Sequence, residues 1–137
     1  MTSNRFVFDT NALVSAALIQ RSVSRQAFDY AFAHGTLLLS PVTILEFQEV
    51  LYRPRFNTYL TDAERQEFLV AVVGSMETVL ITETIAVCRD PKDDRFLEVA
   101  VNGQATHMIT GDQDLLVLHP FRGIPIVTPR TFLDTTR

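Results

Sequence analysis

The sequence predicts an α/β fold, a three-layer α/β/α sandwich built on a mainly parallel, Rossmann-like central sheet. Two observations carry this expectation. Short apolar runs of strand length, near residues 5–8, 37–39, 79–81, 107–110 and 124–127, alternate with longer segments of helical periodicity. Those helical segments open on Ser, Thr or Asp and close on Gly or Pro. With 137 residues, the chain fits a single domain, 1–137, large enough to bury a core.

Arg5-Phe6-Val7-Phe8 reads as a buried strand with Asp9 at its carboxyl end. Thr10 and Asn11 are expected to cap an apolar helix over about 12–19. Ser24 is expected to cap the next helix, which places Ala27, Phe28, Ala31 and Phe32 on one face and ends at Gly35. Leu37 to Leu39 is the second strand. Ser40-Pro41 then starts a helix, since Ser caps and Pro suits the first turn, and Arg53-Pro54 stops it. Thr61-Asp62-Ala63-Glu64 is a capping box that opens a helix to about Gly74. Val79 to Ile81 reads as the third strand. The polar run Asp90 to Asp94 leads into a helix ended by Gly103. A strand over His107–Thr110 runs straight into Gly111-Asp112-Gln113-Asp114. Ile124 to Val127 is the last strand, and Thr128-Pro129 opens a closing helix.

Composition narrows the classes of function. Cys88 is the single cysteine, so neither an internal disulfide nor a cysteine-based zinc site is expected. No signal peptide is recognisable, and no apolar run approaches the ~20 residues that cross a bilayer. A cytoplasmic protein without a membrane partner is expected. The net charge of −4 runs against a general polyanion binder. However, eleven of the 12 basic residues are arginine, the better fork for phosphate, and Lys92 is the exception.

In doubly wound sheets, ligands bind beyond the carboxyl ends of the strands. Asp9 and Asp112 follow strands directly, Glu46 lies two turns into a helix that follows a strand, and Asp93 and Asp94 open a helix near the same rim. Like charges ~4 Å apart repel by roughly 4 kcal/mol at an effective dielectric near 20, so such a gathering calls for a cation. Carboxylates without His or Cys suit a hard ion, Mg²⁺ or Mn²⁺, and phosphodiester hydrolysis is the natural reaction.

Taken together, Phe8-Asp9-Thr10-Asn11, Ser40-Pro41 through Leu45-Glu46, Asp90-Pro91-Lys92-Asp93-Asp94-Arg95-Phe96-Leu97 with Ala100, and Ile109 through Leu115 resemble the PIN domain in order and spacing. The closing Val127 to Leu133 resembles a toxin–antitoxin subgroup, the VapC-like ribonucleases. The resemblance covers essentially the whole chain. It implies a Mg²⁺/Mn²⁺-dependent endoribonuclease, often a homodimer and often a toxin inhibited by a small antitoxin protein. The metal-binding and catalytic acids map to Asp9, Glu46, Asp112 and one of the Asp93/Asp94 pair. Asp93 fits the Asp-Pro-x-Asp phrase, whereas Asp94 has the helical spacing of other PIN branches. Asp114 is placed as an outer acid, while Asn11, Ser40 and Thr110 would orient carboxylates or a metal-bound water.

Plainer readings stand beside these. Asp9, Asp90, Asp93, Asp94, Asp112 and Asp114 are all residue types that cap helices or favour helix N-termini. Glu49, one turn beyond Glu46, competes with it. Arg21, Arg25, Arg53 and Arg55 would track an RNA backbone or simply solvate turns. Arg95 would contact RNA or neutralise the acidic pair. His34, His107 and His119 share no metal-ligand spacing and read as structural. The alternatives to a toxin nuclease are a non-catalytic RNA- or protein-binding module and an RNA-processing nuclease. A haloacid-dehalogenase-like phosphatase would want a second Asp where Asn11 stands.

Overall fold

Alternation along each strand decides which layer a residue serves. The computed structural model describes residues 4–136. Five strands, β1 (Asn4–Phe8), β2 (Gly35–Leu39), β3 (Met76–Thr78), β4 (His107–Ile109) and β5 (Ile126–Val127), pair in the order β3-β2-β1-β4-β5. Every pairing is parallel; Phe6 is in register with Leu37 on one side and His107 on the other. Phe6, Phe8, Leu37, Leu39 and Ile109 point into one core. Their neighbours Val7, Leu38, Met108 and Ile126 point into the other. This is the period of two expected of a sheet covered on both faces.

The first core is roofed by α1 (Thr10–Leu18), α2 (Val23–His34), α3 (Pro41–Leu51), α4 (Asp62–Ser75) and α7 (Pro129–Thr136). The second is covered by α5 (Asp94–Asn102) and α6 (Gln113–Leu116). The result is a three-layer α/β/α sandwich. The chain winds outward from β1 through β2 to β3, then returns past β1 to lay down β4 and β5. The winding direction thus reverses between β1 and β4, whose carboxyl ends carry Asp9 and Thr110.

Several boundaries differ from the sequence reading. The cap of α1 is Asp9 itself, which accepts from the Ala12 N–H at 2.9 Å. Ser22, two residues before the expected Ser24, caps α2 through the Arg25 N–H. Gly35 does not close a helix in a left-handed turn: it is extended and starts β2. A side chain there would strike Asn4 O at 2.5 Å and the Phe6 ring at 2.6 Å, so close packing against β1 demands glycine. The third strand lies at Met76–Thr78 rather than at Val79–Ile81, because β2 pairs with it residue for residue from Leu37 to Leu39. Val79 continues past the strand and is buried against α5 instead. The expected capping pairs of α3 (Ser40, Thr43) and α4 (Thr61, Glu64) are both formed.

The three histidines have structural surroundings. His119 Nδ1 accepts from the Ile126 N–H, His34 stacks on Tyr30, and His107 packs between Phe6 and Phe132. Phe28 and Phe47 are buried, whereas Phe32 stays partly exposed on the outer side of α2. Among the described residues, no helix is long and apolar enough to cross a membrane.

Candidate active site

β1 delivers Asp9 to the rim and α1 begins there, so the helix cap is also a candidate site acid. Asp9 is 4 % exposed. Oδ1 takes the Ala12 N–H, and Oδ2 takes the Thr110 hydroxyl at 2.6 Å from the end of β4. Burial pushes the Asp9 carboxyl up; the two donors pull it back, and the charges of Asp112 and Glu46 push it up again.

Asp112 caps α6, accepting from the Asp114 N–H at 2.9 Å, while its own N–H donates to Thr110 Oγ1 at 3.0 Å. Asp93, the last residue of the 3₁₀ turn Pro91–Asp93, meets Asp112 and Asp114 from a separate segment. Carboxylate oxygens of Asp93, Asp112 and Asp114 all lie within 4.8 Å of one another. Burial pushes the Asp93 carboxyl up to about 7, helped by a hydrogen bond with Asp112 and by the charges of Asp112, Asp90 and Asp9. Four acids from three segments therefore share one field, with Asp90 beside them.

Asp94 is next to Asp93 in sequence but not in chemistry. Its Oδ1 accepts the backbone N–H groups of Val87 and Cys88, at 3.1 and 2.8 Å, and these hold its carboxyl below the usual range against the opposing effect of burial. The side chain thus fastens the 87–88 segment to the start of α5. Burial and the neighbouring Asp94 push the Cys88 thiol up to about 12, so it stays protonated and is no thiolate ligand.

Glu46 approaches from α3. Thr10 donates to its Oε2, and Arg95 Nη1 donates to its Oε1 at 2.7 Å. Glu49, more exposed, lines the same cleft and pairs with Arg53. Ser40 is committed to the α3 cap through Thr43, whereas Thr10, read from sequence only as a helix start, orients the rim glutamate. Asn11 is exposed and lines a groove with Asp9, Asp112, Asp114 and Arg89, whose Nε lies 3.4 Å from Asp114. The roles of Thr10 and Arg89 were hidden in the sequence, although a hydroxyl residue directly after a rim Asp is a usable signal.

The basic residues divide. Arg53 and Arg95 line a cleft with Glu46 and Asp93. Arg25 pairs with Asp29 and lies over Phe68, turned into the space between α2 and α4. Arg55 lies over Phe56 on the 3₁₀ turn Pro54–Phe56, and Arg21 is exposed between α1 and α2.

Comparison with known proteins agrees with this fold. A family model described as PIN domain matches residues 5–114. The uncharacterized protein MJ1680 of Methanocaldococcus jannaschii is 28% identical over 140 residues, covering 95% of this chain and 90% of its own. The crystal structure of PAE2754 from Pyrobaculum aerophilum superposes with a TM-score of 0.61 at 18% identity, covering 97% of this chain and 90% of that one. VapBC2 from Rickettsia felis, bound to a DNA fragment from their promoter, gives 0.59 at 11% identity, covering 89% of this chain and 96% of that one. At these identities the two structures share the fold.

Proposed function

Because the chain belongs to the PIN domain family, we propose that its acidic rim is the active site of a Mg²⁺- or Mn²⁺-dependent endoribonuclease, the cytoplasmic toxin of a toxin–antitoxin pair. The observation that carries this reading is the convergence of Asp93, Asp112 and Asp114 within 4.8 Å, beside the buried Asp9. The donor set fits a hard dication: it offers carboxylate oxygens without imidazole or thiolate, and burial, together with the hydrogen bond and charge of Asp112, pushes Asp93 up to about 7, a cost that a bound cation would relieve. Asp9, Asp93 and Asp112, with Glu46, would hold the ion; Asp94 lies outside this set and Asp114 supports Asp112.

Such an ion, when bound, supplies an ionised water and charge stabilisation for phosphodiester hydrolysis. The chain's own residues prepare the site. Thr110 holds Asp9 and Asp112 together through one hydroxyl. Thr10 fixes the face that Glu46 presents. Asp93, raised to about 7, would have to be ionised to hold a cation, so binding would be coupled to pH. The closing segment's resemblance to VapC-like ribonucleases and the fold shared with VapBC2 support the toxin reading. Under it, the partners are a small antitoxin protein and a second copy of the chain.

The test is cleavage of a mixed single-stranded RNA with Mg²⁺, Mn²⁺ or EDTA, beside Asp9→Asn. Cutting that needs the ion and is lost in the variant is the expected result. Folded protein that neither cuts nor takes up Mn²⁺ in calorimetry overturns the reading in favour of a binding module.

A further inference from the structure

Glu46 is anchored from two elements: Thr10 of α1 holds one oxygen and Arg95 of α5 holds the other. A guanidinium carries five N–H donors in a planar fork. The Glu46 contact engages only Nη1, and no other partner among the described residues takes Nε or Nη2. The Arg95 side chain is also still 30% exposed. It is therefore a fork pinned at one corner, with its remaining donors available beside the acids.

The surroundings of that fork are asymmetric. On its side of the acids the cleft holds Lys92 and Arg53, the latter paired with Glu49 at the surface, beside Asp90, and α3 shows Val42 and Leu45 at 52% and 65% exposure. On the other side the groove is lined by Asn11, Ser15 and Gln113, with Arg89 as its cation. Cations interleaved with exposed apolar side chains suit a single strand, whose phosphates meet the charges while its unpaired bases lie on the apolar surface.

We propose that Arg95 is the substrate-phosphate fork of this enzyme. Glu46 holds it so that Nε and Nη2 bind the non-bridging oxygens of a phosphate next to the acids. The Val42–Leu45 surface takes the flanking base of a single-stranded RNA, and Arg53 and Lys92 meet the next phosphates. This inference rests on the nuclease reading above.

The experiment compares wild type, Arg95→Met and Arg95→Lys by two readouts. One is kcat/KM on a fluorescent single-stranded oligoribonucleotide at saturating Mn²⁺ across a salt series. The other is Mn²⁺ affinity by calorimetry without RNA. Arg95→Met is expected to lose about tenfold in kcat/KM, mostly through KM, and to show a shallower salt dependence. Its Mn²⁺ affinity is expected to hold or to tighten severalfold, since a competing cation has left Glu46. Arg95→Lys restores charge without the fork and recovers only part of the loss. Unchanged kcat/KM, or a loss matched by an equal loss of Mn²⁺ affinity, overturns the proposal, the latter by making Arg95 a support for Glu46 alone. A wild type that neither cuts nor binds Mn²⁺ overturns the nuclease reading and this one with it; a wild type that cuts beside an unaffected variant overturns this one only.

Discussion

Thr110 Oγ1 donates to Asp9 Oδ2 at 2.6 Å, joining the ends of β4 and β1 across 101 residues of sequence. The same oxygen accepts the Asp112 N–H at 3.0 Å. One hydroxyl thus sets the spacing between two rim acids and favours the charged form of the buried one. Thr110→Val keeps the shape and removes the donor. Mn²⁺ affinity at neutral pH is expected to fall about tenfold or more, as for other groups that orient metal ligands. Calorimetry measures it directly, and an unchanged affinity would remove Thr110 from the site's machinery.

The Asp93 carboxyl is raised from 3.8 to about 7, so between those values the folded chain binds a proton that the unfolded chain has released. The metal-free protein must therefore lose stability as pH rises through that window. Asp9 is raised as well and acts in the same direction. His107, lowered by burial, acts in the opposite sense below 6.5. The diagnostic quantity is accordingly the difference between wild type and Asp93→Asn. In EDTA the variant should gain on wild type as pH rises from about 4 to about 7, followed by urea unfolding. Parallel curves would contradict a raised Asp93 carboxyl.

Asp93 and Asp94 should separate cleanly on mutation. Asp93→Asn is expected to abolish cleavage in a folded protein. Asp94→Asn keeps the oxygen that accepts Val87 and Cys88, and should cut normally. Asp94→Ala strands those N–H groups and should cost about 1–3 kcal/mol of stability. Cleavage lost in Asp94→Asn but retained in Asp93→Asn would reverse the assignment.

Arg65 is 1% exposed, yet its guanidinium is fully engaged. It donates to the carbonyls of Leu51 at 2.8 Å, Leu60 at 3.2 Å and Arg53 at 3.3 Å, and to Asn57 Oδ1 at 3.0 Å. These bonds cap the C-terminal end of α3 and tie it to α4 through the intervening turn. Arg65→Met leaves several of these acceptors without donors and is expected to cost about 3 kcal/mol or more. The urea midpoint checks this, and a shift near zero would show that water replaces the bonds.

The sequence by itself determined the layered architecture, the capped starts of α3 and α4, and which segments end at the carboxyl rim. These are local properties: alternation, side-chain capping and apolar runs act within a few residues. Only the tertiary structure decided matters in which a displacement of one to three residues, or a distant partner, sets the outcome. Adjacent positions at a helix start point in different directions, so Asp93 meets Asp112 while Asp94 turns back to Val87 and Cys88. Ser22 and Ser24 are both competent caps, and the packed position of α2 selected the first. The third strand settled at Met76–Thr78 because pairing with β2 outweighs the apolarity of Val79–Ile81. Thr10 on Glu46, Arg95 beside it and Arg65 beneath α3 are long-range contacts. A polar side chain carries no local signal of which distant carboxylate or carbonyl will meet it; that depends on how the helices close over the sheet.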